Sequence, residues 1–224
     1  MLLSMPSNRL SAAGIHLLIS LVIFAGILGL FYFIWFPGAF LQVGGTEGLA
    51  MLAGVDLVLG PLLTLIVYNK AKKSLKWDLS FIATLQVVCL IAGLWVIEKQ
   101  RPLAQIVVND KVHVFTKEDL IIRNISLEKI QSMPGAYPKP IFVDLPLNQA
   151  ARKITIATSF LQGALEAREN SYLPLSEADA AFFSDFQQDT QGDCYEVSLL
   201  SEHYEGKACL SITEGVTHLI NDKV

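Results

Sequence analysis

An acidic residue within an apolar segment is the first candidate for chemistry in this sequence. Asp56 is the only charged side chain between Glu47 and Lys70. A carboxylate at the centre of a bilayer costs roughly 2.5–3.5 kcal/mol on insertion scales. We therefore expect Asp56 to face protein or water rather than lipid.

Small residues share one face with Asp56 when residues 47–68 are drawn as a helix. This small-residue face comprises Ala50, Ala53, Gly54, Asp56, Gly60, Pro61 and Thr64. Small residues let the backbones of membrane helices approach closely. Pro61 has no amide hydrogen to donate to the carbonyl of Leu57, so the face also carries a spare acceptor. These features suit a surface on which a second helix packs.

Gln86, in the next hydrophobic run, is the leading contact for this face within the chain. Counted from the outer ends of the two runs, Gln86 and Asp56 lie at nearly the same depth. A hydrogen bond between them would make the face a structural packing surface. Alternatively, a partner's helix binds a face made of Ala53, Asp56, Gly60, Pro61, Thr64 and Gln86. A proton or ion path, the third alternative, needs more acidic residues than three spans provide.

Other candidates for chemistry are few. None of the four histidines has a second His, Cys or acidic residue at metal-ligand spacing: His16, His113, His203 and His218. No nucleotide-binding or hydrolase motif occurs, so we expect no metal, no cofactor and no enzymatic activity. Cys194 and Cys209 could form a disulfide in an oxidising compartment; a labile bridge would instead favour a thiol-redox enzyme.

Three hydrophobic runs position these residues, and they occupy residues 15–36, 47–68 and 77–97. Each run is about 20 residues long, enough to cross the ~30 Å hydrocarbon core of a bilayer. Four lysines occupy the loop before residue 77, namely Lys70, Lys72, Lys73 and Lys76, whereas the loop before residue 47 has no Lys or Arg. The positive-inside rule therefore predicts a cytoplasmic N-terminus and lysine loop. With three spans, the chain after Glu98 lies outside the cytoplasm.

The composition of the chain changes near Glu98, where the third hydrophobic run ends. Residues 1–98 are predicted to form an α-helical membrane domain with three transmembrane helices, and residues 99–224 a small mixed α/β extracytoplasmic domain. The chain before Glu98 has 3 acidic and 5 basic residues, whereas the remainder has 18 acidic and 12 basic residues. An acidic second domain argues against nucleic acid as a partner.

Local patterns predict the elements of the second domain. Residues 104–108 and 112–115 flank a turn and predict a β-hairpin, and Thr116 with Asp119 predicts a capped short helix. Alternation and helical spacing further predict a strand at 141–145, a helix at 148–168, a helix from Ser176 towards Gln188, and strands at 195–200 and 207–212.

Several stretches in the first half of the chain form a recognisable set. They are WFPG at 35–38, GVDLVLGPLLTLIVYN at 54–69, KKSLKWDL at 72–79, LQ at 85–86 and GLWVIEKQRP at 93–102. Together with the hairpin that follows, they resemble the TfpX/TfpZ family of type IV pilin accessory proteins. The resemblance runs from about Arg9 to Leu120, just over half the chain. The GVDxxLGPLLTL string is long and of unusual composition, which makes the match specific.

The resemblance implies a multi-pass protein of the bacterial inner membrane with its C-terminal domain in the periplasm. Such a protein is a chaperone for its cognate type IV pilin, the major subunit of the fimbrium, before or during pilus assembly. The pilin would contact the membrane helices and the periplasmic domain, and other pilus assembly proteins are further expected partners besides the lipid bilayer. We expect no prepilin leader, consistent with an accessory protein. The alternative function is a membrane-anchored periplasmic sensor or ligand-binding module.

Overall fold

The computed structural model describes residues 6, 8–146, 148–162, 164–179, 181–188, 194–202 and 204–220. These residues form two compact units. The first unit contains the chain up to Ile34 together with Gly45–Glu98, and the second contains Trp35–Gly44 together with the chain from Lys99 onward. The sequence assigns Trp35–Gly44 to the membrane domain, whereas in the structure this segment belongs to the second unit. Its aromatic side chains Phe36 and Phe40 are buried there.

Three long apolar helices form the first unit, as predicted. Stretches long and apolar enough to cross a membrane are Arg9–Trp35, Gly48–Val67 and Leu75–Lys99. Their helices are α1 (Arg9–Leu30, extended by a π turn at Phe31–Trp35), α2 (Thr46–Ala53), α3 (Gly60–Val67) and α4 (Leu75–Lys99). A second π turn, Leu41–Gly45, precedes α2. A π-helical segment, Gly54–Leu59, joins α2 to α3.

Proline explains the wide turns between α2 and α3. Pro61 is in the first turn of α3 and has no amide hydrogen for the ordinary helical bond. The amide of Gly60 donates to the carbonyl of Val55, five residues earlier rather than four. The helix is therefore continuous through Asp56 but locally wider than an α-helix.

An eight-stranded sheet forms the centre of the second unit, in the order β4-β3-β1-β2-β6-β7-β8, with β5 paired to β6. The strands are β1 (Pro102–Val108), β2 (Lys111–Thr116), β3 (Lys139–Val143), β4 (Tyr172–Pro174), β5 (Gln187–Gln188), β6 (Tyr195–Leu200), β7 (Glu205–Ser211) and β8 (Gly215–Ile220). The α-helices of this unit within the described residues are α5 (Lys117–Ile122), α6 (Leu127–Ser132) and α7 (Gln149–Gln162).

The predicted hairpin and capped helix are confirmed. β1 and β2 pair antiparallel, and the turn uses a positive φ of 54° at Asn109, a conformation that Asn tolerates. Thr116 and Asp119 form a reciprocal capping box at the start of α5. β1 is buried along its whole length because the apolar core covers one face and further strands flank it.

The helix predicted from Ser176 towards Gln188 is wrong. The structure has short 3₁₀ turns at Leu175–Glu177 and Phe182–Asp185, followed by β5. The Asp179 carboxylate accepts a bond from the Phe182 amide at 2.9 Å, which offers the backbone an alternative to a continuous helix. The rings of Phe182, Phe183 and Phe186 then pack together.

The remaining differences concern element bounds and elements that were not predicted. The helix predicted over 148–168 ends at Gln162 and is followed by 3₁₀ turns at Leu165–Ala167 and Glu169–Ser171. The short strands β4 and β5 and the strand β8 have no counterpart among the predictions. His203, in the turn predicted between β6 and β7, lies outside the described residues.

Candidate helix-packing and partner-binding face

A histidine of α1 contacts the small-residue face. His16 Nδ1 and Thr64 Oγ1 are 2.6 Å apart, which is hydrogen-bond distance between the two helices. Thr64 is only 3% exposed, and Ser20, one turn along α1 from His16, is 5% exposed. His16 of α1 therefore packs against α3 inside the first unit, and Ser20 is buried on the same face of α1.

Asp56 is part of the same buried surface. Its residue exposure is 6%, in agreement with the expectation that it avoids lipid. His16 is close enough to interact with it electrostatically. Among the described residues, no hydrogen bond joins Asp56 to Gln86, so the specific bond considered from the sequence is not formed.

Gln86 instead packs on Gly60. A Cβ built on Gly60 would overlap the Gln86 amide group, so a larger residue at position 60 would require that amide to move. The other glycine contacts between α2 and α4 repeat this arrangement. A Cβ at Gly48 would lie 2.8 Å from Ile97 Cδ1, and one at Gly93 would lie 2.9 Å from Leu52 Cδ2.

These three contacts define an antiparallel register. From Gly48 to Leu52 the chain advances four residues, and the partners on α4 recede four residues, from Ile97 to Gly93. From Leu52 to Gly60 the chain advances eight residues, whereas the contacting residues on α4 recede only seven, from Gly93 to Gln86. The π-helical segment Gly54–Leu59 lies in this interval, and its wider turns accommodate the additional residue.

The predicted partner-binding face is divided by these contacts. Asp56, Gly60 and Thr64 are buried inside the unit, whereas Ala53, Pro61 and Gln86 are half-buried. Ala50 and Gly54 are exposed, and a Cβ on Gly54 would meet nothing within 4 Å. In the structure, helices of the same chain therefore cover the centre of the small-residue face and leave one side of it open.

The second unit contains a separate cavity of about 410 Å³. Residues of four segments line it, including Pro37, Phe40, Gln105, Tyr137, Glu214 and Val216. The buried Gln105 side chain donates to Pro138 O at 3.0 Å and to Glu214 O at 3.3 Å, and accepts from Val216 N at 2.8 Å. Gln105 thus fixes the backbone on two sides of the cavity.

Cys194 and Cys209 are joined in a disulfide, with their Cα atoms 5.6 Å apart. Cys209 is on β7, and Cys194 immediately precedes β6, the antiparallel neighbour of β7. Within the described ranges, no group of three or more His, Cys, Asp or Glu residues could hold a metal ion.

Three fimbrial assembly proteins of Dichelobacter nodosus are similar to the chain. The protein of serogroup I is 33% identical over 133 residues, 58% of this chain, and that of serogroup E1 is 32% identical over the same length. The protein of serogroups C1 and C2 is 34% identical over 113 residues, which are 49% of this chain and 86% of the relative. The chain belongs to this family of fimbrial assembly proteins.

This fimbrial assembly chain spans about half the length of the first two relatives. No family model and no solved structure matches it. The family assignment therefore rests on sequence similarity to the three relatives. The helix contacts described above are observed in this chain and are not attributed to the relatives.

The principal residues that sequence reasoning missed are His16 and Ser20. The sequence analysis considered His16 only as a metal ligand, and the helical projection considered one run at a time. The available signal was their spacing, since polar residues four positions apart in an otherwise apolar run lie on one helix face.

Proposed function

We propose that this fimbrial assembly protein is an inner-membrane chaperone for a type IV pilin, of the TfpX/TfpZ kind. The observation that carries the proposal is the 34% identity to a fimbrial assembly protein over 86% of that relative. In this role the protein holds the pilin in the membrane and protects it until it enters the fimbrium.

The proposed topology follows from the three apolar helices and the distribution of charge. Lys70, Lys73 and Lys76 are exposed in or beside the short connection between α3 and α4. The positive-inside rule favours the cytoplasm for this connection and for the N-terminus. The second unit then lies in the periplasm, where its disulfide would be maintained.

We propose that the pilin's apolar helix lies against the open side of α2. Ala50 and Gly54 are exposed there, and Ala53 and Pro61 are half-buried. Small residues would allow close approach of a second backbone. Asp56, Gly60 and Thr64 support this surface from behind, because α1 and Gln86 already cover them. The pilin's head would contact the second unit.

Site-specific photo-crosslinking tests this arrangement in cells that express the pilin. A photoreactive residue at Gly54 is expected to form a crosslink to pilin. The same residue at Thr64 is the matched control, and it is expected to crosslink only within the chain, chiefly to α1. Pilin crosslinks from Thr64 but not from Gly54 would contradict the proposed docking side. The absence of pilin crosslinks from both positions, or equal crosslinking from every exposed helix position, would contradict docking on this side of the helices.

A second candidate function is a membrane-anchored ligand-binding module, which the cavity of about 410 Å³ favours. Its volume is within the range of small-molecule sites, and Gln105 provides a fixed polar group. Deletion of a protein with only this function would leave the amount of membrane pilin unchanged, which distinguishes it from a chaperone.

A further inference from the structure

Two cationic side chains converge on one tyrosine in the second unit. Lys139 Nζ is 4.7 Å from the centroid of the Tyr137 ring, and the guanidinium carbon of Arg101 is 5.4 Å from the same centroid. Lys139 is only 9% exposed, and its ammonium group donates to Gly135 O at 2.6 Å. The site thus concentrates two positive charges around a ring and a neutral carbonyl.

Neither cation has an acidic partner among the described residues. The Nε atom of Arg101 is also buried without a hydrogen-bond acceptor. A desolvated cation is costly unless it is paired and hydrogen-bonded, and cation–π contacts offset only about 0.5–2 kcal/mol of that cost. The unused Nε donor of Arg101 and the two cations without an acidic partner indicate that an anion completes the site.

The backbone around this pair is fixed by the fold. Lys139 is on β3, where it is aligned with Ala104 of the central strand β1. The adjoining loop is held by the bond from the Gln105 side chain to Pro138 O. Because Arg101 Nε has no acceptor, the guanidinium can turn towards an anion without losing a hydrogen bond at that atom. An arriving ligand therefore meets a Lys139 that is already positioned and an Arg101 guanidinium that can turn towards it.

The place of Arg101 in the chain indicates which anion is available. Arg101 follows Lys99, the last residue of the third candidate span, by only two residues. Two extended residues cover at most about 7 Å, so a third span that crosses the bilayer would hold Arg101 at the membrane surface. Lipid phosphates are concentrated there, and basic pockets next to spans bind anionic headgroups.

We propose that Arg101 and Lys139, braced by Tyr137, bind the phosphate group of an anionic phospholipid. The planar guanidinium offers a fork of donors to phosphate oxygens, and the ammonium group adds a point charge. This site rests on the membrane location given under the proposed function, but it does not depend on a pilin. Binding of lipid would fix the second unit close to the membrane surface.

Lipid binding can be measured on the full chain purified in a nonionic detergent, without pilin. Phosphatidylglycerol, phosphatidylcholine or inorganic phosphate is added, and thermal unfolding and native mass spectrometry are recorded. Phosphatidylglycerol is expected to raise Tm by about 5 °C or more at saturation and to leave one retained lipid per chain. The other two additions are expected to raise Tm by less than half as much.

Two substitutions test the named residues. Arg101→Gln and Lys139→Gln are each expected to lower retention of phosphatidylglycerol at least tenfold. The exposed Lys117 provides the control, and Lys117→Gln is expected to bind like the unchanged chain. If the Lys139→Gln variant does not fold, the retention of phosphatidylglycerol by Arg101→Gln alone tests the proposal. Undiminished lipid retention in folded Arg101→Gln, or equal stabilisation by inorganic phosphate or phosphatidylcholine, would overturn the proposal without affecting the proposed role towards pilin.

Discussion

Gly60 leaves room for the Gln86 amide, which occupies the space that a side chain at position 60 would need. This contact places a half-buried polar group against the helix that contains Asp56 and Thr64. Residue counting from the outer ends of the two runs suggested Asp56 as the partner of Gln86. In the structure Gln86 contacts Gly60, four residues beyond Asp56, and the wider turns at Gly54–Leu59 account for one residue of that difference.

Substitution of Gly60 tests this packing directly. Gly60→Ala is expected to lower the free energy of unfolding by about 1–3 kcal/mol because the added methyl group overpacks the contact. Gly54→Ala is the matched control. Both glycines lie in the same helical stretch, but nothing lies within 4 Å of a Cβ on Gly54. Thermal or denaturant unfolding of the full chain in detergent provides the measurement.

The double variant Gly60→Ala with Gln86→Ala separates overpacking from helix propensity. Removal of the amide should recover at least half of the stability lost in Gly60→Ala, which is the coupling expected of residues in contact. Equal effects of Gly60→Ala and Gly54→Ala would show that Gln86 does not occupy this position.

His113 makes the second unit sensitive to acid. Burial lowers the pKa of His113; Glu166 opposes this effect, and Arg123 and Lys111 reinforce it. Between the lowered folded pKa and the usual value near 6.5, the unfolded chain binds more protons than the folded chain. The contribution of His113 to stability is therefore lost as pH falls through about 6.5, by at most about 1.4 kcal/mol per pH unit.

Unfolding of the full chain between pH 8 and pH 5 is expected to show this dependence. His113→Gln should reduce the slope below pH 6.5, whereas His218→Gln, at an exposed position on β8, should leave it unchanged. An unaltered slope in His113→Gln would show that other groups cause the acid sensitivity.

At the scale of elements, the local sequence predicted the structure correctly where a single signal, such as a turn or a capping motif, dominated. The hairpin at Asn109 and the capping box at Thr116 were predictable from a few adjacent residues. Residues 176–188 were not, because a carboxylate bond to the Phe182 amide and a cluster of aromatic rings replace the expected helix. The contact of His16 with Thr64 also required knowledge of how α1 packs on α3.

The disulfide before β6 is expected to contribute about 3 kcal/mol to stability, since it closes a loop with a sequence separation of 15 residues. Simultaneous replacement of Cys194 and Cys209 by alanine should lower Tm, whereas Cys89→Ala should leave the disulfide's contribution intact because Cys89 is an exposed free thiol.

Thiol titration of protein prepared from membranes without reductant provides a second measurement of the same feature. One reactive thiol per unfolded chain is expected, that of Cys89. Three thiols would contradict a disulfide in the cell and would also count against a periplasmic location of the second unit.

At the scale of the whole molecule, composition alone revealed an apolar first part and an acidic second part. The three long apolar helices were predictable because each run is long and nearly free of charge. The place of Trp35–Gly44 in the second unit was not, because its burial depends on contacts with strands far along the chain. Membership of the family of fimbrial assembly proteins links this two-part architecture to the assembly of fimbriae.

Pilin turnover tests the proposed chaperone role most directly. Pilin is pulse-labelled in cells in which fimbrial assembly is blocked, so that all of the subunit stays in the membrane, and its half-life is followed with and without this protein. A chaperone that protects the waiting subunit predicts a several-fold shorter pilin half-life in its absence, restored by the unchanged chain. An identical half-life in both strains would contradict stabilisation of the pilin before assembly.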